Sequence, residues 1–168
     1  MINIAHIHPM LVHFPLALMP VALGAQLLAL VKGQGLFERH CLSSTGVMLV
    51  VLAAIGAVCA AVFGDLALDQ AVAAGVPLAS LETHEELGQS SAILLSVLAV
   101  CEVWLYRKSA SGAAWNLGLW LTGVAVLVLL LITAWFGGRL VYELGVNVSP
   151  TALLQGHSIG ASPQTGML

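Results

Sequence analysis

Charge is what this sequence has least of. Only 8% of its 168 residues are charged, against about 25% in an ordinary soluble domain, while 60% are hydrophobic. A water-soluble globule is excluded, and a single integral membrane domain is the reading that remains. The five lysines and arginines form no basic patch, which excludes a nucleic-acid partner. The three cysteines, Cys41, Cys59 and Cys101, stand far apart. Without a CxxC or CxxCH motif there is neither a zinc knuckle nor covalent c-type haem attachment, and Cys59 and Cys101, inside apolar runs, read as packing residues. No Ser-His-Asp order, phosphate loop or paired catalytic carboxylates suggest a hydrolase or a transferase.

What the sequence has instead is long apolar runs. Four of them, roughly 9–31, 43–64, 84–106 and 116–138, reach the ~20 residues needed to cross a bilayer. The first lacks the basic flank and small-residue cleavage site of a signal peptide and is expected to be retained. The short connections at Lys32–Gly35 and Arg107–Ala114, with a longer one from Asp65 to Thr83, predict antiparallel neighbours. The fold class expected is all-α, an up-down bundle of four transmembrane helices over residues 1–148. The Gly-, Ser- and Pro-containing stretch 149–168 is a polar tail.

Four of the five basic residues, Lys32, Arg39, Arg107 and Lys108, fall on one side, and only Arg139 on the other. The positive-inside rule makes the first side cytoplasmic. Both termini and the middle loop then face outward, into the periplasm if the membrane is a bacterial inner membrane. His6, His8, His13, His84 and His157 all fall on the outer side, with His40 alone on the inner. So do Asp65 and the Arg139–Tyr142 segment. His8, His13, Asp65, His84, Arg139 and Tyr142 therefore converge from the ends of four different helices. Ionisable groups at membrane depth are costly and usually functional, and imidazole is the commonest protein ligand for metals and haem iron.

Depth distinguishes the histidines. Pro9 suits the first helical position, which places His8 just outside the helix and His13 about 6 Å deeper. Helix 3 has two candidate starts. Ser80 as N-cap puts His84 level with His13; Thr83, in a capping box with Glu86, puts it level with His8. The first is favoured because the apolar pattern begins at Leu81. Small residues follow both imidazoles at helical spacing, Ala17, Pro20 and Gly24 after His13, and Gly88, Ala92 and Ser96 after His84. Such stripes admit a flat ligand close to the backbone, or simply another helix. Gly56, Ala60 and Gly64 form a similar stripe on helix 2 with no histidine at its head. Trp104, Tyr106, Trp115 and Trp120 read as an aromatic belt at the cytoplasmic interface.

The opening His8-Pro9-x-x-Val12-His13-Phe14-Pro15 resembles that of a bacterial membrane family, domain of unknown function 2231. Gly64-Asp65, the lone His84 and Gly137-Gly138-x-Leu140-Val141-Tyr142 agree with it, and the resemblance covers about residues 6–148. One departure is Leu144, where family members often carry a histidine. The resemblance implies a four-helix membrane domain, sometimes joined to cytochrome c-like or Rieske-like modules, and so points toward electron transfer.

Three functions fit these residues. The first is a b-type haem between helices 1 and 3, with His13 and His84 as axial ligands, Gly88 giving it room, Arg139 and Tyr142 bonding its propionates, and Asp65 orienting a ligand ring. Its partners would be a quinol, a periplasmic cytochrome c-like protein, and further copies or other subunits of a larger membrane complex. The acidic outer residues could dock a basic partner. The second is a haem-free copper or zinc site of His8, His13, His84 and Asp65. The third is a structural or assembly subunit whose histidines only bridge helices.

Overall fold

The computed structural model describes residues 7–109 and 112–146. His6, His157 and the polar tail lie outside the described residues. Within them the chain forms four helices and no strand: α1 (Ile7–Val31), α2 (Cys41–Ala73), α3 (Leu78–Lys108) and α4 (Ala113–Leu144). Each is long and apolar enough to cross a membrane. α1 and α3 each pack on both α2 and α4 and face each other across the diagonal of a square.

Several boundaries differ from the sequence expectation, α4 among them, which runs to Leu144 rather than 138. The stretch from Asp65 to Thr83, expected as a loop, is mostly helix. Ala67 and Ala71 are buried while Asp65, Asp69 and Gln70 are exposed, so the apolar stripe of α2 carries its carboxylates on the solvent face and runs on. The helix stops where Gly75 turns with φ +95°, and Pro77, extended at ψ 128°, starts α3. Neither Ser80 nor Thr83 caps it. Likewise α1 begins at Ile7, so His8 is already helical and Pro9 is not the first residue.

The inward residues follow alternating spacings of three and four. On α1 they are His8, Val12, Pro15, Met19, Ala22, Gln26 and Ala29; on α3, Leu81, His84, Gly88, Ser91, Leu95, Leu98, Glu102 and Leu105. This is the pattern of left-handed bundles with shallow crossing angles. The α2 seam is almost wholly small: Ser43, Gly46, Val50, Ala53, Ala57, Ala60, Gly64, Ala67, Ala71. Lipid tails are as apolar as leucine, so close backbone approach, not burial of grease, holds such helices together. A Cβ on Gly56 would lie 2.9 Å from the Phe14 Cβ and 3.3 Å from the Pro15 Cδ. The Gly56 stripe is thus a packing surface for α1.

Met19, Val50, Leu95, Leu98, Val126 and Leu130 fill the middle of the bundle. The 32–40 connection folds back and closes one end, with Leu36 and Phe37 fully buried against Ala29, Val47 and Leu105. Ser43 Oγ pins it by donating to the Gly35 carbonyl at 2.8 Å. Trp104 and Trp115 are exposed, as an aromatic belt requires. Trp120 is turned inward and its indole donates to the Leu23 carbonyl at 3.1 Å, tying α4 to α1. Tyr106, half-buried, shares a 2.8 Å hydrogen bond with Ser44.

Gly56→Ala should destabilise the bundle by about 1–3 kcal/mol, because Phe14 and Pro15 cannot yield without moving α1. Gly24→Ala, where no atom lies within 4 Å of the added methyl, should be neutral or slightly stabilising. Thermal unfolding of the two variants in the same detergent tests the contrast.

A histidine pair in a four-helix cavity

At the end of the bundle that carries the start of α1, all four helices line a cavity of about 480 Å³. Its walls are mostly small or apolar, including Ala57, Ala60, Ala61, Ala134, Gly137 and Gly138, with His8, His13 and His84 the imidazoles among them. The volume falls in the range of about 300–1,000 Å³ usual for cofactor and ligand pockets.

His8 and His84 meet across this cavity. Their ring centroids are 6.2 Å apart and their planes stand at 82°. Each ring is fixed by its Nδ1, His8 to the Ala60 carbonyl of α2 at 2.8 Å and His84 to the Thr133 carbonyl of α4 at 3.1 Å. A carbonyl can only accept, so both Nδ1 atoms carry the proton and both Nε2 lone pairs are left available. Neither Nε2 has a hydrogen-bond partner among the described residues.

Two glycines make this geometry possible. A Cβ on Gly137 would lie 2.8 Å from the His84 Cε1, and one on Gly64 would lie 3.1 Å from the His8 ring. Only bare backbone lets the imidazoles lie flush against α2 and α4. Thr133 is held in turn: its Oγ1 donates to the Leu129 carbonyl at 2.9 Å and therefore accepts from Ser91 Oγ at 3.1 Å. Gly88 and Gly138 line the cavity with open space where a Cβ would be.

The other expected residues are placed differently. His13 lies on the exposed face of α1 at the cavity edge. Its Nδ1 turns back to the Pro9 carbonyl at 2.5 Å, and it is His8, not His13, that faces His84. The reason is angular: five residues at about 100° each carry His13 roughly 140° around the helix from His8. Ala17, Pro20 and Gly24, the stripe that follows His13, are correspondingly exposed, whereas Gly88 and Ala92 after His84 line the cavity. Asp65 is exposed at the cavity rim and holds neither imidazole, both Nδ1 atoms being bound to carbonyls. Arg139 is paired along its own helix with Glu143, at 2.7 and 2.9 Å, and lies 5.2 Å over the Trp135 ring. Tyr142 borders the cavity and is 91% exposed. Among the described residues, no three His, Cys, Asp or Glu groups come together as a metal site.

One polar pair escaped the sequence reading. Gln26 and Glu102, 0% and 1% exposed, join α1 and α3 at the opposite end, with Gln26 Nε2 3.0 Å from both carboxyl oxygens. The available signal was spacing, since both fall on the seams that carry His8 and His84.

Neither a curated protein nor a solved structure matches this chain. The family model described as "Predicted membrane protein (DUF2231)" matches residues 5–150, a span that contains all four helices, and the chain belongs to that family.

Proposed function

We propose that the protein is a membrane b-type haem protein in which His8 and His84 are the axial ligands. The observation that carries this reading is the disposition of the two imidazoles. The two rings come from different helices and their centroids are 6.2 Å apart, near enough that one iron between them could be held by both. Protonated Nδ1 atoms held by backbone carbonyls are the usual outer support of a ligating histidine, fixing tautomer and ring orientation.

Two facing histidines suit a porphyrin better than a bare ion. Copper or zinc held by protein alone needs three or four side chains, and among the described residues no third such group joins His8 and His84. A porphyrin brings its own four nitrogens and leaves only two positions to fill. Once bound, a bis-imidazole haem supplies one-electron transfer, because no coordination site stays open for oxygen chemistry. The chain's part is to fix both rings, to surround the macrocycle with alanine and glycine, and to exclude water. Tyr142, at the cavity rim, would bond a propionate; Arg139 would first have to leave Glu143.

Lys32, Arg39, Arg107 and Lys108 lie at the opposite end, which supports a site facing outward, in a bacterium the periplasm. Exposed Asp65, Asp69, Glu82 and Glu86 around the same end favour docking of a basic cytochrome c-like partner, with a membrane quinol as electron donor. A second reading, helix bridging alone, is favoured by the same Nδ1–carbonyl bonds, which join α1 to α2 and α3 to α4.

Absorbance of protein purified from haem-replete cells separates the two. The haem reading requires a sharp α-band on reduction, abolished by His8→Ala and by His84→Ala but retained at full intensity in His13→Ala and Asp65→Asn. A colourless protein with normal stability leaves the bridging role. Gly137→Ala should weaken haem retention by about 10–100-fold, as loss of a ligand's outer support commonly does, because the new methyl pushes His84 off the Thr133 carbonyl. Haem transfer to apomyoglobin measures it.

A further inference from the structure

We propose that Glu102 and Gln26 form a proton-binding site at the end of the bundle opposite the histidine pair, with Glu102 held as the neutral acid. The two residues meet across the α1–α3 diagonal, both essentially inaccessible. Gln26 Nε2 lies 3.0 Å from each carboxyl oxygen, and Gln26 Oε1 is buried with no hydrogen-bond partner.

Charge accounting excludes an ion pair. Glu102 faces α1, which carries only His8 and His13 as titratable groups, both near its far end. Of the helices packed against α3, the half of α2 that follows Cys41 has no titratable group but Cys59, and α4 has none between Ala113 and Leu131. On α3 itself Arg107 and Lys108 are exposed, Tyr106 bonds Ser44, and Cys101 is exposed. In the connecting segment Lys32, Arg39 and His40 are exposed, His40 lying 3.2 Å from Glu38. A carboxylate here would keep its charge in a low-dielectric interior against one amide, at a cost of several kcal/mol.

The proton removes both defects together. An acid and a primary amide can form a closed pair, in which the amide N–H donates to the acid carbonyl and the acid O–H donates to the amide oxygen. A small turn of the Gln26 amide converts the observed arrangement into that pair, and the orphaned Oε1 becomes the acceptor of the proton. Gly46 is what lets the Gln26 side chain reach this position, since a Cβ there would lie 2.6 Å from the Gln26 Cγ. Nor is the pair needed as a brace. Buried polar pairs commonly stabilise less than apolar residues of similar size, and Ala29, Leu36, Phe37, Val47 and Leu105 already cluster at this end.

Infrared spectroscopy of the full chain in lipid nanodiscs at neutral pH, with isotope-labelled glutamate, is the test. The expected result is a carboxylic-acid carbonyl band that is absent in Glu102→Gln and moves to higher frequency in Gln26→Leu. The paired substitution Gln26→Leu with Glu102→Leu should unfold at the same temperature as the wild type or higher. A carboxylate band that vanishes in Glu102→Gln, with no carbonyl band lost, overturns the proposal. So does a double-leucine variant with a clearly lowered melting temperature, which would make the pair a brace. Gln26→Leu retains the acid itself and so keeps the spectroscopic test valid should Glu102→Gln fold poorly.

Discussion

The register between α1 and α3 decides where polar chemistry can exist in this bundle. Gln26 and Glu102 are 76 residues apart in sequence, and the same offset separates His8 from His84. Both pairs therefore lie on the same two seams, each 18 residues along from the other. At 1.5 Å per residue that is about 27 Å, close to the ~30 Å thickness of a bilayer's hydrocarbon core. The bundle accordingly presents one polar crossing near each end and a block of Met19, Leu95, Leu98 and their neighbours between them. Shifting either helix by one residue would turn both of its polar side chains out of the seam at once and break both pairs.

Diagonal partners in a four-helix square are the farthest apart, so something must bring them together. Here it is the smallness of α2 and of parts of α4. Gly46 makes room for Gln26, Gly64 for His8 and Gly137 for His84. Each glycine gives up a side chain on one of the flanking helices so that a long side chain on a diagonal helix can reach the middle. The pattern also explains why the small-residue stripe on helix 2 has no histidine at its head. Its function is to receive α1 at Phe14 and Pro15, and to receive the ring of His8 further along.

Much of this was legible in the sequence. The four spans follow from length and composition, and the convergence of histidines at one end follows from topology alone. The structure sets His8 rather than His13 against the His84 ring, and the reason is local. Depth was judged from Pro9 as a helix start and Ser80 as a cap, whereas Ile7 is already helical and α3 starts at Leu78 after an extended Pro77, with no capping side chain. Angle was the better guide than depth. Following the seam backward from Gln26 through Ala22, Met19 and Pro15 arrives at His8 and passes His13 by. Glu102 was overlooked for the converse reason. A glutamate six residues from the basic end of a span reads as interfacial until its seam neighbours, Leu98 and Leu105, show that it faces inward.

The two polar pairs make opposite use of the same constraint. At the end that carries the start of α1 the imidazoles keep their Nε2 atoms without a hydrogen-bond partner, beside a cavity whose walls include several glycines and alanines. At the opposite end the amide and the acid meet in a closed space, with the Gln26 Oε1 still unpartnered, which leaves room for nothing larger than a proton. The apolar block between them contains no titratable group on the α1 and α3 seams, so neither site can pass charge to the other through bonded side chains. If the histidine pair holds a haem as proposed, that single cofactor would exchange electrons with partners at its own face of the membrane, and crossing the bilayer would require a second redox centre supplied by another subunit.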